Sequence, residues 1–365
     1  MQEPLIFCRK VKMPKERDLS IDILRCTGLF LIILAHVSPP GAIFQLRNFD
    51  VPLMVFVSGL SFSISSEGKK YQAYLLSRIK RLVVPVWIFV TVFYLFVFCL
   101  SPVLFGKYND LDSYLNTLFF KDSLDASSNT LGYTWIIKIF LLMAIIAPLV
   151  KKITHNLSQW NIMTVAIILL CLNQYLVLAV VDNADSNASL INNIAVAYLL
   201  PCLSYGVVFM LGVNYKKYSI TFKLFTVILS LMAFLVFLWS YRVEFGGLVS
   251  TQGYKYPPSG YYLSYALMMI FSLSLFVKSL TQKINGLLKG LIVFVSSNSI
   301  WIYLWHIPVV EYFANSDAGY NFIFKYLAAC FLSMAIMYLQ VGIISRLRSR
   351  MSPPVYKNIK DIFTG

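Results

Sequence analysis

Ten apolar stretches follow one another along this chain, each close to the roughly 20 residues a helix needs to cross a bilayer. They cover 19–38, 49–66, 82–105, 133–150, 161–182, 191–213, 222–241, 261–280, 290–314 and 320–346. Hydrophobic residues make up 58% of the chain and charged residues 13%, against about 45–50% and ~25% in an ordinary soluble domain. Backbone polar groups in lipid must be satisfied internally, so stretches of this length predict helices. The expected fold is all-α, a polytopic membrane helix bundle of about ten transmembrane helices. In the ninth stretch the polar residues of VSSNSIWIYLWH predict a tilted or broken helix.

The net charge of +15 is a topology signal before it is a binding signal. Along alternate connections, Lys and Arg number 23 on one side and 5 on the other. The positive-inside rule places the basic connections, and both termini, in the cytoplasm. No nucleic-acid partner is needed to explain the charge. Residues 1–18 read as an uncleaved cytoplasmic leader, 19–346 as one transmembrane domain and 347–365 as a cytoplasmic tail. Cys8, Cys26, Cys99, Cys171, Cys202 and Cys330 are too dispersed for a disulfide framework or a metal site. No metal is expected. No internal repeat is visible, which weakens the case for a transporter built from duplicated halves.

Within the first stretch, Arg25 and His36 stand eleven residues apart. Eleven steps of about 100° return to within roughly 20° of the start, so both project from one helix face. Along the axis they are about 16 Å apart. Asp22, one turn before Arg25, is close enough to pair with it. Ionisable groups at membrane depth mark a functional site by default, because each is costly in lipid.

Other polar residues carry two readings each. Ser58 and Gly59 permit close helix approach or form a polar wall beside His36. Arg78 and Arg81, in SRIKRLVVP, anchor a span and bind lipid headgroups, or clamp a phosphorylated ligand. Tyr71, Tyr74, Leu75 and Ile79 form an apolar stripe suited to a segment lying along the membrane surface. Tyr133 and Trp135 read as interfacial aromatics, and Lys138 as snorkelling outward. His306 is a structural or a catalytic histidine, with Glu311 too far around the helix to pair with it closely. His155 reads as solvated.

These segments together resemble the acyltransferase-3 family of integral-membrane acyltransferases. RDLSIDILRCTGLFLIILAH is similar to the family's Asp-x-x-Arg followed by ten residues and His. VPLMVFVSG, SRIKRLVVP, TWIIKIFLLMAIIAP and SNSIWIYLWHIP follow in the family's order, covering about residues 17–346. Leu53 and Met54 stand where the family commonly has aromatics, which bears on pocket shape. The resemblance implies an O-acetyltransferase in the inner membrane of a bacterium. Its donor would be cytoplasmic acetyl-CoA, and its acceptor a hydroxyl of a polysaccharide or lipid-linked glycan, such as O-antigen, capsule or exopolysaccharide. It implies His36 and Arg25 as the catalytic pair, and Arg78 and Arg81 as binders of the CoA phosphates; the helix spacing adds Asp22 as the catalytic-site residue that fixes the Arg25 side chain. Ser58, Trp135 and His306 are candidate pocket residues. Some relatives carry a fused esterase-like domain; without one, this chain is expected to act alone or with a partner. The rival reading is a polytopic transporter or permease for a glycan precursor or small solute, since proton relays use the same residue types.

Overall fold

A computed structural model describes residues 17–65, 70–100, 110–120, 131–182, 194–316 and 318–364. Most of the leader, and the loop acids Asp122, Asp125 and Asp185, lie outside them. The helices are α1 (Leu19–Ala35), α2 (Gly41–Leu46), α3 (Asp50–Ser65), α4 (Tyr71–Leu100), α5 (Leu111–Leu118), α6 (Trp135–Thr154) and α7 (Gln159–Asp182). Then come α8 (Leu200–Asn214), α9 (Ile220–Phe245), α10 (Gly260–Lys283), α11 (Gly286–Ser297), α12 (Ser299–Ala314), α13 (Phe322–Arg346) and α14 (Pro353–Phe363). One wider turn, Ala195–Leu199, leads into α8. No strand occurs among the described residues.

Every predicted stretch contains a helix. Eight helical segments are long and apolar enough to cross a membrane, and the α11–α12 pair makes a ninth if counted as one span. That pair is bent by 81°, the break falling at Asn298 among the serines. Asn298 caps the end of α11 with its N–H on the carbonyls of Phe294 and Val295. The first stretch is the shorter α1 of 17 residues, capped by the Asp18 carboxylate accepting from the Ser20 N–H. At that length α1 is not among them, so the described residues hold eight spans, or nine with the bent pair, against the ten expected.

Shape fixes the packing where side chains are smallest. A Cβ on Gly59 would lie 2.3 Å from the Phe209 carbonyl oxygen, and one on Gly212 would lie 2.2 Å from that of Phe56. The α3 and α8 backbones therefore touch, which only glycine permits. Helix α1 packs against α3, α10, α11, α12 and α13, so its polar groups face protein on several sides. By contrast α9 buries only Phe222, Thr226 and Ser230 and presents its apolar remainder outward, as a lipid-facing helix does.

Two departures from the sequence reading matter for the site. The basic segment around Arg78 is not a separate surface helix. It is the opening of α4, a continuous 30-residue helix about 45 Å long, with Pro85 inside it. And the supposed tail contains α14, whose Pro353 and Pro354 start it where missing N–H groups cost nothing. Helix α14 docks on α4, α12 and α13: Trp301 Nε1 donates to the Ile362 carbonyl at 2.7 Å, and Gln340 Nε2 to that of Phe363 at 2.6 Å. The Trp301 and Phe363 rings stack at 5.6 Å.

Candidate active site

The polar face of α1 lines a cavity of about 630 Å³ closed by α3, α4, α6 and the α11–α12 bend. Arg17, Arg78, Arg81 and Lys216 give it a cationic opening at the basic end of the bundle. Asp22, Arg25, Ser58, Ser61 and Ser296 line it further in. A second cavity of about 120 Å³ is lined by His36, Arg47, Asp50, Trp135, Gln252, Lys255 and Tyr256 among others. Ile32, Ile136 and Tyr303 border both cavities, so they form the wall between them.

Arg25 donates to Ser61 Oγ at 2.7 Å and to Ser296 Oγ at 3.2 Å. Asp22 does not pair with it. Its carboxylate accepts from Arg17 at 2.6 and 2.8 Å and from Ser296 Oγ at 2.6 Å. Proximity one turn apart on α1 loses here to two better-placed donors, and Ser296 alone links the two groups. The Asp22 hydrogen bond holds Arg17 above its ordinary pKa.

Arg78 and Arg81 line the opening, but Arg81 donates to Asp361 of α14 at 2.8 Å, and Lys80 to Asn358 at 2.6 Å. Lys138 lies over the Tyr198 ring at 5.1 Å. His155 Nδ1 is 2.6 Å from Asn156 Oδ1 and borders a separate cavity with Lys151 and Lys152.

His36 caps the end of α1, its N–H bonded to the Ile33 carbonyl. Its Nδ1 lies 2.9 Å from Nε2 of His306, which is fully buried on α12. His306 Nδ1 in turn meets the Tyr303 carbonyl. A carbonyl only accepts, so His306 Nδ1 carries the proton and, in a neutral ring, Nε2 is the acceptor. His36 Nδ1 must then donate to it, which leaves Nε2 as the basic nitrogen of His36. The Tyr133 ring meets His36 edge-on at 4.5 Å between centroids. Tyr133 is itself fixed by donating to Glu311 Oε1 at 2.8 Å and by accepting, at its carbonyl, from the Tyr303 hydroxyl. Glu311 thus serves Tyr133 and not His306.

Beside His36, Asp50 holds Arg47 at 2.6 Å and Lys255 at 3.2 Å. Burial lowers the Lys255 pKa, and the Asp50 charge opposes that shift. Among the described residues no group of three or more His, Cys, Asp or Glu side chains is placed to hold a metal ion.

Asp22, Arg25, Ser58, Arg78 and Arg81 thus meet in one cavity, while His36 and Trp135 share the other and His306 touches His36. A family model described as an acyltransferase domain matches residues 18–341. The chain belongs to the acyltransferase-3 family. As a family member it is an acyltransferase embedded in a membrane. The family match holds every site residue except Arg17, and it ends before α14. No curated protein and no solved structure matches the chain.

Sequence reasoning missed Arg17, Ser61, Ser296, Tyr303, Arg47, Asp50 and Lys255. Arg47 and Lys255 had a signal: they are two of the five basic residues on the sparsely charged side, where a cation needs a local reason.

Proposed function

We propose that this acyltransferase moves an acetyl group from cytoplasmic acetyl-CoA to a hydroxyl of a cell-envelope glycan, in the plasma membrane of a bacterium. One observation carries the reading: His36, its Nδ1 2.9 Å from His306 Nε2, borders the smaller of two cavities that share lining residues. The larger is cationic where it opens on the basic side, as a donor bearing phosphates requires. The smaller is lined by polar and aromatic groups, as a sugar requires.

CoA leaves its phosphates at Arg78 and Arg81, and its pantetheine arm runs past Arg25 toward the Tyr303 wall. The acceptor hydroxyl arrives at His36 from the other cavity. As its oxygen attacks the thioester carbonyl carbon, His36 Nε2 takes the hydroxyl proton. The imidazolium that forms is stabilised through Nδ1–H by His306. The tetrahedral intermediate then collapses, the carbon–sulfur bond breaks, and the proton on Nε2 passes to the departing thiolate. Ester and free CoA result. Arg25, held by two serine hydroxyls, contributes positive charge along the donor path, and Asp22 orients it through Ser296. Ser58 and Trp135 shape the walls.

The test is thiol release from acetyl-CoA by membranes containing the protein, with a glycan acceptor present. His36→Ala should abolish release while the protein stays in the membrane at its usual level. An active His36→Ala enzyme refutes the base assignment. Arg78→Ala and Arg81→Ala should raise the acetyl-CoA concentration needed for half-saturation, and unchanged values remove both residues from donor binding.

A further inference from the structure

Two cations and one carboxylate share the wall of the smaller cavity, and all three are buried. Side-chain exposure is 2% for Arg47, 2% for Asp50 and 4% for Lys255. A buried ion pair tolerates its desolvation only when charges and hydrogen bonds balance, and among the described residues lining this cavity one positive charge is left over. Glu311 lines neither cavity, and its carboxylate accepts from the Tyr133 hydroxyl. The donors are also under-used. Arg47 Nη1 is taken by Asp50, Nη2 reaches Gln252 Oε1 only at 3.4 Å, and the buried Nε has no partner. Among the described residues Lys255 Nζ makes one hydrogen bond, to Asp50, and otherwise lies 5.7–5.9 Å from the centroids of the Trp135, Tyr256 and Tyr262 rings.

We infer that this cavity is a subsite for a carboxylate carried by the acceptor, so that the preferred acceptor is an acidic sugar such as a uronic acid. This rests on the acyltransferase reading above and names the substrate class at that site. Arg47 offers a planar fork suited to a carboxylate, and Lys255 the balancing charge. The Phe44, Trp135 and Tyr256 rings, which line the cavity, give an apolar surface for the sugar ring. At about 120 Å³, the cavity has room for one substituted ring edge and excludes a longer chain. Since His36 borders the same cavity, a carboxylate held by Arg47 and Lys255 would fix which hydroxyl of that sugar meets Nε2. The pair would then set regiospecificity as well as affinity.

The experiment measures thermal unfolding of the purified full chain in nanodiscs at matched ionic strength. The additives are sodium D-glucuronate, D-glucose and sodium phosphate, titrated separately. Glucuronate should raise the midpoint saturably, and glucose and phosphate should not. Lys255→Gln should weaken the glucuronate effect by on the order of tenfold or more, and Lys255→Arg should keep most of it. Arg47→Gln strips Asp50 of its closest partner and can fail to fold, so the wild-type comparison of glucuronate with glucose decides on its own. Equal responses to the two sugars overturn the subsite. Stabilisation by phosphate without glucuronate overturns the carboxylate assignment and favours a phosphodiester. The acyl-transfer reading stands or falls separately, on thiol release by the His36→Ala protein.

Discussion

Replacing His306 with Phe removes the acceptor that fixes the His36 tautomer and keeps a ring in the buried α12 position. In the resting enzyme His36 Nδ1–H loses its partner at 2.9 Å. In the transition state the loss is greater, because His36 is then becoming an imidazolium, and hydrogen bonds to charged groups are worth about 1.5–3 kcal/mol. At about 1.4 kcal/mol per factor of ten, the rate should fall roughly 10- to 150-fold. The loss belongs in kcat, since the interaction strengthens only as the proton is transferred. Donor half-saturation should stay put, because His306 borders neither cavity. His306→Gln can present an amide oxygen to the same N–H and should recover most of the deficit. The assay is initial thiol release in membranes over a range of acetyl-CoA, normalised to protein abundance. A His306→Phe rate within threefold of wild type, or a defect confined to donor half-saturation, refutes the relay.

Asp361→Asn frees Arg81 from α14, whose ion pair is partly exposed on both sides; exposed pairs are worth about 0.2–1 kcal/mol. The acetyl-CoA concentration for half-saturation should therefore drop by about 1.5- to 5-fold, and a rise would show that α14 supports the donor site. Gly59→Ala places a methyl 2.3 Å from the Phe209 carbonyl oxygen, which the backbone cannot avoid cheaply. Overpacking of this kind costs about 1–3 kcal/mol, read as a lowered unfolding midpoint in detergent, and an unchanged midpoint would deny the tight α3–α8 contact. Arg25→Lys keeps the charge but cannot bridge Ser61 and Ser296 together. Turnover should fall at least several-fold, with the protein level unchanged, whereas full activity would mean that only the charge matters.

The spans were legible because hydropathy over twenty residues needs no tertiary context, and the 81° bend was legible from a run of serines and asparagine. The Arg25–His36 stripe divides in the structure: Arg25 lines the larger cavity, while His36, the residue that caps α1, lines the smaller. What escaped were choices among partners. Asp22 had Arg25 one turn away, yet Ser296, 274 residues later, takes its carboxylate. No local rule ranks those two. The His36–His306 contact spans 270 residues, and Lys255–Asp50 spans 205; in both, each residue alone has an ordinary explanation. Helix α14 falls within the stretch read as tail, where Lys357, Asn358, Lys360 and Asp361 make its eleven residues look polar in one dimension. Its Ile359, Ile362 and Phe363 gather on one side only once it is wound.

The wall shared by the two cavities bears on the rival transporter reading. A carrier must pass its whole substrate from one side to the other, so its two chambers have to merge around something the size of a sugar. Between these chambers stand Ile32, Ile136 and Tyr303, and Tyr303 is pinned from two directions, its hydroxyl on the Tyr133 carbonyl and its carbonyl on His306. The same residue meets His306 through its carbonyl and borders both cavities. Opening a sugar-sized passage by moving Tyr303 would dismantle the relay. Acyl transfer makes no such demand. The thioester carbonyl has only to reach the acceptor hydroxyl through a gap far narrower than a sugar, after which each product leaves by the side from which it came. A relay built into the barrier suits an enzyme working across a membrane better than a carrier that must lift the barrier on every cycle.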